Sequence, residues 1–66
     1  MIELVASFQN QIDGPTRTAS IYWSQDDQQY IVRMRNDMGH DFQSRFAKQE
    51  LERAKDCARE WVKDDL

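Results

Sequence analysis

Three turn signals divide the first two-thirds of the chain, and the strand registers that they impose agree with one another. The signals are Asp13-Gly14, which favours a two-residue hairpin loop, Asp26-Asp27 within a polar run, and the type I turn pattern from Asn36 to Gly39. A register slip of one residue would turn a whole strand inside out, so agreement among three independent turns is informative. We predict four antiparallel strands, near residues 2–11, 16–24, 29–35 and 40–46.

Each predicted hairpin places apolar residues opposite one another on the same face of the sheet. For the third hairpin we assume a three-residue loop, with Gly39 as a left-handed bulge residue. The expected pairs are Phe8–Ala19, Ala6–Ile21 and Leu4–Trp23 in the first hairpin, Trp23–Tyr30, Ile21–Val32 and Ala19–Met34 in the second, and Met34–His40 and Val32–Phe42 in the third.

The last third of the chain has the period of a one-sided helix, at roughly 47–64. Its apolar residues recur at steps of four, three, four and three; they are Ala47, Leu51, Ala54, Ala58 and Trp61. The alanines would let the helix lie close to the sheet, with Leu51 and Trp61 as its large contacts. We therefore predict one α+β domain over residues 1–66, a four-stranded antiparallel β-meander packed on one C-terminal α-helix. The sheet residues expected beneath this helix include Leu4, Ile21, Trp23, Tyr30, Val32 and Phe42.

The size of the chain limits what else it can hold. A domain of 66 residues buries only about 60% of its surface on folding, so nearly every apolar residue is needed for the core. Cys57 is the only cysteine, whereas a secreted domain of this length usually needs two or more disulfides. We therefore expect a cytoplasmic location. We expect neither a signal peptide nor a membrane span, because no apolar run is long enough.

Few residues have the chemistry that catalysis requires. The chain has one His, one Cys and two Gly, with no Gly-rich phosphate loop and no metal-ligand spacing. His40 stands beside a turn and is expected to be partly buried or at the rim, and Cys57 is expected at the edge of the core. The carboxylates of Asp26-Asp27 and of Asp64-Asp65 are adjacent in sequence and should point apart. We predict that the protein is not an enzyme and that it has no cofactor or metal site.

The face of the sheet turned away from the helix is predicted to carry three arginines, Arg33, Arg35 and Arg45, around Tyr22 and Ile31. Four of the six acidic residues in 1–46 fall in turns, so this face is locally basic in a chain of net charge −3. One interpretation is a solvated face with Arg33 paired across strands to Asp41. The other is a contact surface, because Arg and Tyr are enriched in interface hot spots.

The C-terminal end offers a second candidate surface. Asp64 and Asp65 stand at the negative pole of the predicted helix, where acidic residues are unfavourable. Their position suggests fraying of the helix or a partner that supplies positive charge.

The segment from Gln29 to Val62 resembles the DNA-binding domains of plant ethylene-response factors and of integrase arms. The resemblance rests on Tyr30, Met34-Arg35, Gly39, Phe46, Ala54 and Ala58. It implies a three-stranded sheet that enters the DNA major groove with a helix behind it, and Arg33, Arg35 and Arg45 as DNA-facing residues. The chain departs from those domains in its net negative charge and its additional N-terminal strand.

In type, the chain is similar to the small acidic proteins that phages encode as inhibitors of bacterial defence, including anti-CRISPR proteins. Our leading hypothesis is therefore a protein-binding module that inhibits or regulates a larger protein or protein complex. Its partner-binding residues would be Tyr22, Ile31, Arg33, Arg35, Arg45, Asp64 and Asp65. The alternative is a nucleic-acid-binding domain that uses the arginines and Tyr22. Either could be a monomer or a homodimer joined through the first or fourth strand, because edge strands can pair.

Overall fold

A computed structural model describes residues 1–9, 17–36 and 38–63. Within these residues four antiparallel strands form one sheet in the order β1-β2-β3-β4, and a helix follows them. The elements are β1 (Ile2–Gln9), β2 (Thr18–Ser24), β3 (Gln29–Arg35), β4 (Asp41–Ala47), a 3₁₀ turn (Lys48–Glu50) and α1 (Leu51–Lys63). The predicted α+β meander with a C-terminal helix is confirmed. The predicted turn at Asp13-Gly14 and the acidic pair Asp64-Asp65 lie outside the described residues.

The core lies between α1 and the two central strands. Ile21 of β2 and Val32 of β3 are both 0% exposed, and they meet Ala54 and Ala58 of the helix, which are also fully buried. Full burial of an Ile or Val side chain contributes about 1.5–3 kcal/mol. The two alanines carry so little bulk that the helix backbone can approach the sheet closely. The residues packed around this centre are Ala6, Phe8, Ala19, Tyr30, Met34, Phe46, Cys57, Trp61 and Val62.

The second hairpin has the predicted register. Trp23 lies opposite Tyr30, Ile21 opposite Val32 and Ala19 opposite Met34. The turn is tied by a hydrogen bond of 3.2 Å from the Ser24 hydroxyl to the Asp27 carboxylate, and Gln28 takes the positive φ of 55° that closes it. The Trp23 and Tyr30 rings lie 4.8 Å apart, which adds an aromatic pair to the ladder.

The third hairpin differs from the prediction by two residues. Phe42 lies opposite Met34 rather than Val32, and Asp41 lies opposite Arg35 rather than Arg33. The loop is longer than expected because the Asn36 side-chain oxygen accepts the N–H groups of both Met38 and His40, at 3.0 Å each. Gly39 has the expected left-handed conformation, with φ of 84°. A shift of two residues preserves the two faces, so the arginine-bearing face survives this correction.

The first hairpin is correct over only part of its length. Phe8 lies opposite Ala19 and Ala6 opposite Ile21, as predicted, but an irregularity between Leu4 and Ala6 changes the register beyond that point. Leu4 is opposite Tyr22 rather than Trp23, so the prediction that Leu4 belongs to the core is wrong; the residue is 60% exposed. A bulge of this kind inserts one residue and reverses the alternation of the strand.

The N-terminus is held against the second turn, and this position fits the changed register. The Gln25 N–H donates to the Met1 carbonyl at 3.2 Å, and the terminal ammonium lies 3.5 Å from Asp26. The contacts beyond the bulge thus extend to Met1, the residue before β1. Its consequence is that Ile2 and Leu4 lie on the face opposite the helix, while Glu3 lies on the helix side, opposite Trp23.

The helix begins later than predicted, and Trp61 is the aromatic residue of α1 that contacts the sheet. The Glu50 carboxylate accepts the Ala47 N–H at 3.0 Å, so the chain enters the helix through a 3₁₀ turn. At the other end the Trp61 ring meets Phe42 edge-on at 5.4 Å, and its indole N–H donates to the Arg35 carbonyl at 3.4 Å. Leu51 is only half-buried. Trp61 therefore anchors the helix to β3 and β4.

Candidate functional site

The candidate site is the face of the sheet opposite α1, which we call the open sheet face. The residues of β1 to β4 that project from it include Ile2, Leu4, Ser7, Thr18, Ser20, Tyr22, Ile31, Arg33, Arg35, Asp41, Gln43 and Arg45. The structure brings together five predicted site residues here: Tyr22, Ile31, Arg33, Arg35 and Arg45. The other two, Asp64 and Asp65, lie outside the described residues.

The centre of the open sheet face is apolar. Ile31 is only 8% exposed although α1 covers the opposite side of the sheet, because Tyr22 and Arg45 lie directly beside it on the neighbouring strands. Ile2 and Leu4 enlarge this surface from β1, and each is 60% exposed. Neither was predicted to lie here, since turn chemistry and apolar alternation contain no signal for a bulge within β1.

A shallow hollow marks the middle of this face. It is lined by Ile2, Tyr22, Ile31, Arg33 and Gln43 and has a volume of about 220 Å³. We call it the Arg33 hollow. Its volume is below the roughly 300–1,000 Å³ of small-molecule and cofactor pockets. The hollow is therefore closer in size to a protruding side chain than to a cofactor.

A second depression of about 190 Å³ adjoins the first on the same face. Tyr22 and Arg33 line both depressions, and the second extends past Ser20 to Arg35 and Asp41. Because the two depressions share these side chains, Tyr22 and Arg33 form a ridge at the centre of the open sheet face. A partner seated on this face would contact both residues.

The three arginines differ in their electrostatic surroundings. Arg35 lies 3.6 Å from the Asp41 carboxylate, and Arg45 lies 3.6 Å from that of Asp27. Arg45 also donates to the Gln29 side chain at 3.4 Å. Arg33 has no ion pair with any residue that the structure describes. The uncompensated positive charge of the face is thus concentrated at Arg33, beside the apolar centre.

The single histidine and the single cysteine of the chain lie away from the open sheet face. His40 is exposed in the loop before β4, which agrees with the rim position and not with partial burial, and Cys57 is half-buried at the edge of the core. Over residues 1–9, 17–36 and 38–63 no three His, Cys, Asp or Glu side chains are grouped to hold a metal ion.

Comparison with protein families, curated proteins and solved structures finds no match to this chain. The resemblance to the plant and integrase DNA-binding domains thus rests only on the residues named for it above. In the part of the chain that the structure describes, no helix is both long and apolar enough to cross a membrane.

Proposed function

We propose that this chain is a protein-binding module that inhibits or regulates a larger partner through its open sheet face. One observation carries the proposal: exposed Ile2 and Leu4 lie on the same uncovered face as Tyr22, Ile31 and Arg33, and Arg33 has no ion pair among the described residues. Exposed apolar side chains that cluster on one face are typical of interaction surfaces. Tyr and Arg are also among the residues that contribute most to binding energy at protein interfaces.

The area that this role requires is a small share of the protein's surface. A standard protein–protein interface buries about 800 Å² on each partner. That is about one-sixth of the 4863 Å² accessible surface of the protein. A specific partner would therefore need to cover only a small share of the surface, and the helix side can remain the structural half of the domain.

The nucleic-acid alternative has one favourable observation, the three arginines on one face. Two of these arginines are already engaged in ion pairs, Arg35 with Asp41 and Arg45 with Asp27. Affinity for DNA or RNA depends on cations that are available to neutralise phosphates. Because the exposed apolar residues Ile2 and Leu4 lie on the same face, a protein partner is the better-supported proposal. Binding of DNA or RNA that weakens steeply as salt rises would favour the alternative.

The proposal that the chain inhibits or regulates its partner is based on the small size and acidic composition that it shares with phage-encoded inhibitors. A small domain that presents one binding face can act by covering a functional surface of its partner, as inhibitors of the phage anti-defence kind do. A homodimer through an edge remains compatible with this role, since β1 and β4 form the two edges of the described sheet. Pairing at either edge would leave the open sheet face accessible.

A pull-down from a lysate of the source organism tests the proposal. The bait is the intact chain, compared with the variant Arg33→Glu/Arg35→Glu on the open sheet face. The matched control is Arg53→Glu/Arg59→Glu, which makes the same change in charge at exposed positions of α1. We expect the control to retain the partner and the sheet variant to lose it. A partner that binds all three proteins equally would show that the open sheet face is not the site.

A further inference from the structure

We infer that the Arg33 hollow binds a partner segment in which a large apolar side chain stands next to an aspartate or glutamate. This inference rests on the proposed function, because it specifies which partner chemistry the open sheet face selects. The Arg33 hollow combines apolar and hydrogen-bonding groups at a single place on the surface, and the two groups of residues select different features of the ligand.

The apolar part of the hollow selects a side chain. Ile2 and Ile31 supply aliphatic walls, and the Tyr22 ring supplies a flat one. Ile31 is almost buried, so it presents a fixed surface, whereas Ile2 is largely exposed and would lose water contact when a ligand binds. Burial of apolar area at about 25 cal/mol per Å² would favour an aliphatic or aromatic side chain here.

The polar part of the hollow selects an acceptor. The Arg33 guanidinium, the Tyr22 hydroxyl and the Gln43 amide all line it, and none of the three forms a side-chain hydrogen bond within the described part of the chain. Together they offer an excess of donors and one positive charge. A carboxylate is the protein group that matches this combination, because it accepts two hydrogen bonds from a guanidinium in a charge-assisted pair.

The neighbouring ion pairs limit the match to a single acid. Arg35 and Arg45 are each within 3.6 Å of a carboxylate, so they add little uncompensated charge to the face. Among the three arginines of this face, Arg33 is the one that has no ion pair within residues 1–9, 17–36 and 38–63, so its charge is available to a ligand. A segment with one acidic residue beside a bulky apolar residue therefore fits better than a highly acidic or a basic one.

A phage-displayed library of random linear peptides, panned on the folded chain and on its Arg33→Glu variant, tests this inference. We expect the chain to enrich peptides with Asp or Glu adjacent to Leu, Ile, Phe or Trp. The Arg33→Glu variant should instead enrich Lys or Arg at the acidic position. In a synthetic peptide from the first selection, Glu→Gln should weaken binding about tenfold or more, as expected for loss of a charge-assisted hydrogen bond.

Circular dichroism of the chain, of Arg33→Glu and of the milder variant Arg33→Gln verifies that each protein is folded. A change in the enriched peptides can then be attributed to the binding surface and not to unfolding. The inference is wrong if no peptide is enriched, if the enriched peptides lack an acid, or if the acid persists with Arg33→Glu. If one of these results occurs while the partner from the lysate is still lost by the Arg33→Glu/Arg35→Glu variant, the proposed function stands and only the inferred acidic ligand is wrong. If the partner from the lysate instead binds the Arg33→Glu/Arg35→Glu variant as well as the unmodified chain, the proposed function is wrong.

Discussion

Leu4 lies opposite Tyr22 in the first hairpin, whereas its neighbour Glu3 lies opposite Trp23. This pairing places Leu4 and Ile2 on the open sheet face, and it places Glu3, an acid that would have reduced the positive potential there, on the helix side. One bulge in β1 thus makes the face more apolar and less acidic than regular alternation would.

The same pairing separates two aliphatic residues that look equivalent in sequence. We expect Ile21→Ala to lower the free energy of unfolding by about 2–5 kcal/mol, because Ile21 is fully buried and its truncation leaves a cavity. Leu4→Ala should change it by less than about 0.5 kcal/mol, since Leu4 is mostly exposed. Urea unfolding of both variants measures the difference. Equal losses would mean that Leu4 is in the core.

Trp61 is expected to hold the C-terminal half of α1 on the sheet. Its ring contacts Phe42, its N–H donates to the Arg35 carbonyl, and the Arg17 guanidinium lies 4.8 Å from the ring centroid. We expect Trp61→Ala to lower the free energy of unfolding by about 3 kcal/mol. Met38→Ala, at a highly exposed position, is the control and should have little effect. Thermal unfolding followed by circular dichroism checks this, and an unchanged midpoint for Trp61→Ala would contradict it.

Gly39 should be replaceable only at a conformational cost. A Cβ at this position would meet no atom within 4 Å, so space is not the constraint, but the φ of 84° is unfavourable for side chains. We expect Gly39→Ala to lower the free energy of unfolding by about 1 kcal/mol. Gly39→Asn should cost less, because Asn tolerates the left-handed region better than Ala. If the two variants have the same urea midpoint, the left-handed conformation does not constrain this loop.

Arg33 and Arg35 should contribute unequally to partner binding. Arg33 has no ion pair within the described residues, whereas Arg35 would have to give up or share its contact with Asp41. We expect Arg33→Gln to weaken binding of the isolated partner at least about tenfold, and Arg35→Gln to weaken it less. Calorimetric titration of each variant gives the comparison. A larger loss for Arg35→Gln would mean that the uncompensated charge of Arg33 is not what the partner recognises.

Much of the fold could be predicted because several local signals agreed. The alternation of apolar residues in β2 and β3 and the polar run at 24–29 lead to one register, and the structure has it. The alanine spacing of α1 likewise indicated which side of the helix faces the sheet, and Ala54 and Ala58 are its buried residues. Signals of this kind depend on residues that are close in sequence, so they can be recognised in one sequence without knowledge of the tertiary structure.

The two register errors arise from interactions that local patterns do not encode. In the third hairpin, the Asn36 side chain binds two backbone N–H groups and lengthens the loop. In the first, the N-terminus contacts a turn more than twenty residues away, and β1 changes register at its bulge. The arginines of the site were found because a two-residue shift preserves faces. Ile2 and Leu4 were missed because a one-residue bulge reverses them.

Site-specific photo-cross-linking tests most directly whether the open sheet face is the binding surface. A photoreactive benzoylphenylalanine replaces Tyr22 at the centre of that face or, in a separate protein, Arg59 on the outer side of α1. Both proteins are irradiated in a lysate of the source organism. We predict a covalent adduct of higher mass from position 22 and none from position 59. An adduct from position 59 alone, equal adducts from both, or none from either would contradict the account.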